Sequence, residues 1–122
     1  ALGCGEGIFF AKLDLNTRRV ILSGDEGYLK GHMINQIREN HDDLFIASDW
    51  TEAAYFLIDR NAKSVERINE IDKEQSHQWC TDLKPLPGFN KDRFPFFIAR
   101  TRFTVSLIDI SRKKSFTLFQ TK

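Results

Sequence analysis

One pattern recurs three times and limits what this chain can become. Phe9-Phe10-Ala11-Lys12-Leu13-Asp14, Ala54-Tyr55-Phe56-Leu57-Ile58-Asp59 and Thr104-Val105-Ser106-Leu107-Ile108-Asp109 are each an apolar run closed by Asp. A polar, basic stretch follows each one, and then a second alternating run. The three Asp residues stand 45 and 50 residues apart. A second pair recurs ahead of the last two copies. Asp43-Leu44-Phe45-Ile46-Ala47-Ser48 resembles Pro95-Phe96-Phe97-Ile98-Ala99-Arg100, at an offset of 52 residues. Two independent segments with nearly one period describe a chain of repeated units.

The apolar runs are short and rich in β-branched and aromatic residues, which favours strand over helix. The pattern predicts ten short strands, near 8–13, 18–22, 33–38, 43–48, 53–58, 64–68, 79–84, 95–99, 103–108 and 115–119. Their connections are short and carry Gly, Asn, Asp or Lys, as hairpins require. Pro85 to Phe94, with Pro85, Pro87 and Gly88, reads as an inserted loop and accounts for most of the longer second period. Thr51 to Asp59 carries the helix formers Glu52, Ala53 and Ala54, yet its repeat partner around Val105 is strongly β, so strand is expected.

Composition narrows the class. The 122 residues are 41% hydrophobic and 29% charged, which excludes disorder and low complexity. Eleven Phe against one Met again favour half-buried pleated surfaces. No apolar stretch is long enough for a membrane-spanning helix. A net charge of +1 gives no global steering toward nucleic acid or membrane. Two cysteines, Cys4 and Cys80, are too few for a secreted disulfide scaffold, and no Asn-x-Ser/Thr acceptor occurs. An intracellular origin, cytoplasmic or nuclear, is expected. The chain starts at Ala1 with no signal-like stretch, which reads as a processed chain or a piece of a longer one.

A unit of four strands whose third strand ends in an apolar-Asp pair resembles the WD-repeat β-propeller blade. The middle unit carries the resemblance best. Gly31-His32 stands at the place of the family's Gly-His, Met33 to Arg38 at the inner strand, Leu44 to Ser48 at the second, and Ala53 to Ile58 at the third. Asp59 stands where the family has Trp-Asp, 27 residues after His32. In the third unit Ser76-His77 replaces Gly-His, and Asp109 follows His77 by 32 residues. The resemblance implies an all-β fold, a segment of a β-propeller built from four-stranded antiparallel blades. Residues 8–30 would be the outer half of one blade, 31–75 a second blade and 76–122 a third. It also implies a buried network in which His32, Ser48 and Asp49 take part. Ile58 and Ile108 occupy the family's Trp positions, so the network would be partial. A closed ring needs about four to eight blades, so the end units would expose apolar faces and the isolated chain would not be a stable monomer.

No catalytic, cofactor or metal constellation emerges. Gly3-Cys4-Gly5-Glu6-Gly7 has the glycines of a phosphate loop, but a strand follows it and no Lys-Ser/Thr is present, so a flexible turn is expected. His77 and Cys80 are three apart, on opposite faces of a strand, and zinc would need two more ligands. Asp25, Glu26, Asp42 and Asp43 are paired in sequence only and read as solvated turns. Two surfaces remain. Arg18, Arg19, Arg60, Lys63, Arg112, Lys113 and Lys114 fall at one place in the repeat and would share one rim, tempered by the acidic turn from Glu39 to Asp43. Trp50, with Tyr28, Arg100 and Arg102 beside it in aligned repeats, forms a candidate partner-binding patch on the opposite rim, whereas Trp79 reads as core.

The expected function is a non-catalytic protein–protein scaffold within a larger WD-repeat-like propeller. Its partners would be other protein chains or the rest of the same propeller, with no cofactor and no membrane contact. The alternatives are a nucleic-acid-contacting subunit of a ribonucleoprotein, an enzyme whose chemistry lies outside this segment, and a self-contained small β domain.

Overall fold

Strands buried on both faces read as continuous apolar runs, because residues of either parity then meet a neighbouring layer. Leu44 to Ala47 and Ala54 to Ile58 are such runs, and the chain folds around them. The computed structural model describes residues 2–4, 7–22, 27–41, 43–49, 54–70, 80–86, 95–101 and 104–120. Among these residues the protein is all-β, with no helix. In particular, no helix is long and apolar enough to cross a membrane.

Three successive units are seen. The first holds β1 (Leu2–Cys4), β2 (Gly7–Phe9), β3 (Ala11–Asp14) and β4 (Arg19–Leu22), as two antiparallel pairs, β1-β2 and β3-β4. The middle unit is a four-stranded antiparallel sheet in chain order: β5 (Ile34–His41), β6 (Leu44–Asp49), β7 (Ala54–Asp59) and β8 (Ser64–Arg67). The short β9 (Asn69–Glu70) follows. The third unit is again four antiparallel strands in chain order: β10 (Cys80–Pro85), β11 (Phe96–Thr101), β12 (Thr104–Asp109) and β13 (Lys114–Gln120).

Nine of the ten expected strands form as single strands, and Ala54–Asp59 is among them. Three features were not foreseen. The expected strand 8–13 breaks at Phe10 into β2 and β3. β1 adds a strand ahead of the first expected one and pairs with β2 in the register Leu2↔Phe9, Gly3↔Ile8 and Cys4↔Gly7. β9 leaves the middle unit and joins the third sheet parallel to β13, through Lys114↔Asn69 and Ser115↔Glu70. The two units are thereby stitched along an outer edge, with Asn69 N donating to Lys113 O at 2.9 Å.

Two separate cores form, one on each face of the middle sheet. Phe45, Ala47 and Ile58 meet Ile8, Phe10 and Tyr28 of the first unit. Ile46, Tyr55 and Ile68 meet Leu83, Phe97, Ala99 and Ile108 of the third. Alternate residues of β6 thus serve opposite neighbours, as the two-residue strand period demands. Fully burying side chains such as Ile46, Ile58, Phe97 and Ile108 contributes about 1.5–3 kcal/mol each. The first strands of the three units lie side by side, β1 and β10 both against β5. Arg38 of β5 donates its Nε to Leu83 O of β10 at 2.9 Å and ties two of them together.

Gly7 allows the first unit to close. Its φ is +109°, and an added Cβ would lie 2.2 Å from Tyr28 O. Only a residue without Cβ lets the chain return there. The neighbouring Ile8 and Tyr28 then exchange both backbone hydrogen bonds, at 2.8 and 2.9 Å.

Candidate interaction site

The recurring Asp has a local task. In each unit it ends the third strand and its carboxylate caps the four-residue turn that follows. Asp14 Oδ1 accepts from Asn16 N at 2.9 Å and Thr17 N at 3.3 Å. Asp59 Oδ1 accepts from Ala62 N at 3.0 Å. Asp109 Oδ1 accepts from Arg112 N at 3.3 Å and from Ser111 Oγ at 3.0 Å. The fourth turn residue is left-handed every time: Arg18 at φ 56°, Lys63 at 53° and Lys113 at 55°. An Asx-type cap holds the tight reversal, and the strands re-pair as Asp14↔Arg19, Asp59↔Ser64 and Asp109↔Lys114. The Thr17 side chain and the two turn amides hold the Asp14 carboxyl below its ordinary value of 3.8.

The basic residues of these turns do not form one uniform surface. Arg60 turns inward: its guanidinium lies 4.3 Å from the centroid of the Phe10 ring and 3.6 Å from the Asp43 carboxylate. Its backbone N also donates to Asp43 O at 2.9 Å, which sets the acidic β5–β6 turn beside the basic one. Lys113 crosses to Glu66 of the middle sheet at 2.6 Å. Arg112 stays beside its own Asp109 at 3.7 Å. Arg18, Arg19, Lys63 and Lys114 are exposed, and no ion pair engages them among the described residues.

His32 and Asp49 meet. Asp49 is fully buried at the end of β6, and His32 Nδ1 lies 2.5 Å from its Oδ2. The His32 ring packs edge-on against Phe56, with centroids 5.1 Å apart. Ser48 is buried beside this pair in sequence but donates to Asn35 Oδ1 at 2.7 Å. Neither Asn35 nor Phe56 was singled out by the sequence. An Asn two residues before an apolar strand residue, and a Phe one turn of pleat before Ile58, carry no distinguishing pattern. Ile58 and Ile108, at the aligned third-strand position, are fully buried core residues.

Of the expected aromatic patch, the structure describes Tyr28 and Arg100. Tyr28 is 7% exposed and packs edge-on against Phe10 at 5.7 Å, so its ring serves the core between two units. Arg100 is exposed on β11 and sits opposite Asp82 and Val105. Trp50 and Arg102 lie outside the described residues, as do Trp79, His77 and the carboxylates Asp25, Glu26 and Asp42. Among the described residues, no three His, Cys, Asp or Glu side chains are placed to hold a metal.

Two further features face outward. A cavity of about 200 Å³ opens between the middle and third sheets, walled by Leu44, Leu57, Ile58 and Ile110 together with Glu66 and Lys113. Large apolar side chains are also exposed at both ends of the array: Leu13, Leu15, Val20 and Ile21 on the first unit, Leu118 and Phe119 on the third. A comparison with protein-family models, with curated proteins and with solved structures found no match.

Proposed function

We propose that the chain is a non-catalytic protein–protein interaction scaffold, a segment of a larger WD-repeat-like propeller. The observation that carries this reading is the middle sheet. Both of its faces are covered by neighbouring sheets, while the first strands of the three units run side by side. Sheets packed face to face around converging first strands are what a radial array requires. The recurrent capped turn and the His32–Asp49 pair add to it. A rigid array of this kind presents turns of fixed geometry to other proteins, and the outward Arg18, Arg19, Lys63 and Lys114 favour an acidic partner surface.

Electron microscopy of the assembled protein tests the architecture. A disc with a central channel is expected, and a flat stack of sheets without one would sink the propeller reading. Titration with a labelled single-stranded RNA tests the scaffold role. Tight binding that weakens steeply as salt rises would favour a nucleic-acid contact instead.

A further inference from the structure

The cavity between the middle and third sheets is bounded by two units that both belong to this chain, so no further unit of an array lies between them. The short β9 fixes their spacing, with Asn69 N donating to Lys113 O at 2.9 Å. Leu57 and Ile110 pack against the core of this interface yet stay half-buried, as does Leu44 at the start of β6. At the first interface the residue after the recurring Asp is Arg60, whose guanidinium reaches the Phe10 ring of the unit before. Its counterpart Ile110 is shorter and leaves the space beside Leu57 unfilled.

Size decides what fits. The cavity measures about 200 Å³. Apolar cavities of about 150 Å³ already take benzene, whereas cofactors and drug-sized ligands need pockets of about 300–1,000 Å³. One aromatic side chain fills the space, and a nucleotide does not fit it. Charge decides what flanks that side chain. Asp59 and Glu66 line the cavity, and both are used within the chain: Asp59 Oδ1 accepts from Ala62 N at 3.0 Å, and Glu66 pairs with Lys113 at 2.6 Å. Asp43, beside Arg60, is held by it at 3.6 Å. Two cations next to the cavity are left over. Lys63 adjoins the lining Ser64, and Lys114 adjoins the lining Lys113. Both are exposed, and no ion pair engages them among the described residues.

We infer that this cavity receives one aromatic side chain from an acidic segment of a partner protein. The ring covers Leu44, Leu57 and Ile110, and carboxylates on either side of it meet Lys63 and Lys114. Lys113 stays with Glu66 at the lip. This rests on the interaction-scaffold reading above and gives it a site and a partner chemistry. The charge contacts lie in solvent and are screened by salt, whereas seating of the ring is apolar burial and is not. Added salt therefore weakens the contact only in part.

Methyl NMR of the purified full chain, titrated with short blocked peptides, tests the site. The first peptide carries phenylalanine between aspartates, the second phenylalanine between lysines and the third alanine between aspartates. The first should shift the methyls of Leu44, Leu57 and Ile110 saturably. The second should bind at least about 10-fold more weakly, and the third should leave those methyls unmoved. Ile110→Trp fills the cavity and should weaken the first peptide by at least about 30-fold, as loss of a central apolar anchor does. Circular dichroism should show its fold intact. Lys63→Glu combined with Lys114→Glu leaves the cavity in place and should abolish the preference for aspartate, which keeps the test open should Ile110→Trp disturb its turn. Methyls that move with no peptide overturn the inference. So does equal binding of the aspartate and lysine peptides, or an alanine peptide as effective as the first. Both walls lie within this chain, so binding is read whether or not an array closes. A protein without a central channel that takes the first peptide loses the propeller and keeps the site, and a disc that takes none loses the site alone.

Discussion

Replacing His32 by Ala probes a polar contact to a buried carboxylate of the middle sheet. Asp49 is fully buried, and His32 Nδ1 lies 2.5 Å from its carboxylate. Deleting the imidazole removes that partner from a buried carboxylate oxygen, which costs about 1–3 kcal/mol. It also removes the edge contact with Phe56, worth about 0.5–1.5 kcal/mol. The sum is a loss of about 1.5–4.5 kcal/mol. With a urea dependence of about 1.5 kcal/mol per molar, the unfolding midpoint falls by about 1–3 M. The assay is urea denaturation followed by far-ultraviolet circular dichroism, at fixed protein concentration so that association contributes equally. A cycle with Asp49→Asn isolates the pair, and the coupling should exceed about 1 kcal/mol. A coupling below about 0.5 kcal/mol would refute the claim that His32 and Asp49 hold the sheet together. His32→Asn, which keeps a donor, should recover part of the loss.

Other outcomes follow from the turns and the first unit. Gly7→Ala should destabilise by more than about 2 kcal/mol, because its Cβ would collide with Tyr28 O, and amide exchange at Ile8 and Tyr28 should accelerate. Asp59→Ala removes the acceptor of Ala62 N and should cost about 1 kcal/mol in a thermal melt, as loss of a helix N-cap does. Asp14 should titrate below 3.8 by carboxyl-carbon NMR. Its folded value is depressed, so the stability it contributes is present above the unfolded carboxylate value and is lost as pH falls through the folded one. A measured value at or above 3.8 would remove the capping role. Arg60→Met should keep the packing over Phe10 but release Asp43, leaving stability within about 1 kcal/mol of the parent in the same melt.

The strands were legible because a strand in a half-buried sheet writes its period into neighbouring residues. The basic turns were legible because each follows an apolar run closed by Asp, while the caps that these Asp carboxylates make were not expected and emerge only once the turn amides fold back onto them. What such a pattern conveys stops at the turn. Arg60 and Lys63 look alike in sequence, yet one is held over an aromatic ring and the other is exposed. Tyr28 resembles a surface anchor until the chain returns over Gly7 and buries it. β9 could not be anticipated, since two residues of no particular pattern acquire strand geometry only from the β13 edge they meet.

By itself, then, the sequence determined the all-β class and the recurring order of apolar run, Asp and basic turn, because these depend on residues a few positions apart. Tertiary structure alone decided which copies of an equivalent residue are buried. Leu13, Ile58 and Ile108 share a place in the repeat, but burial needs a second sheet from a distant part of the chain, and only the latter two have one. The same holds for His32 and Asp49: the two side chains were visible candidates, and the fold that carries β6 past the Gly31-His32 turn made them a pair.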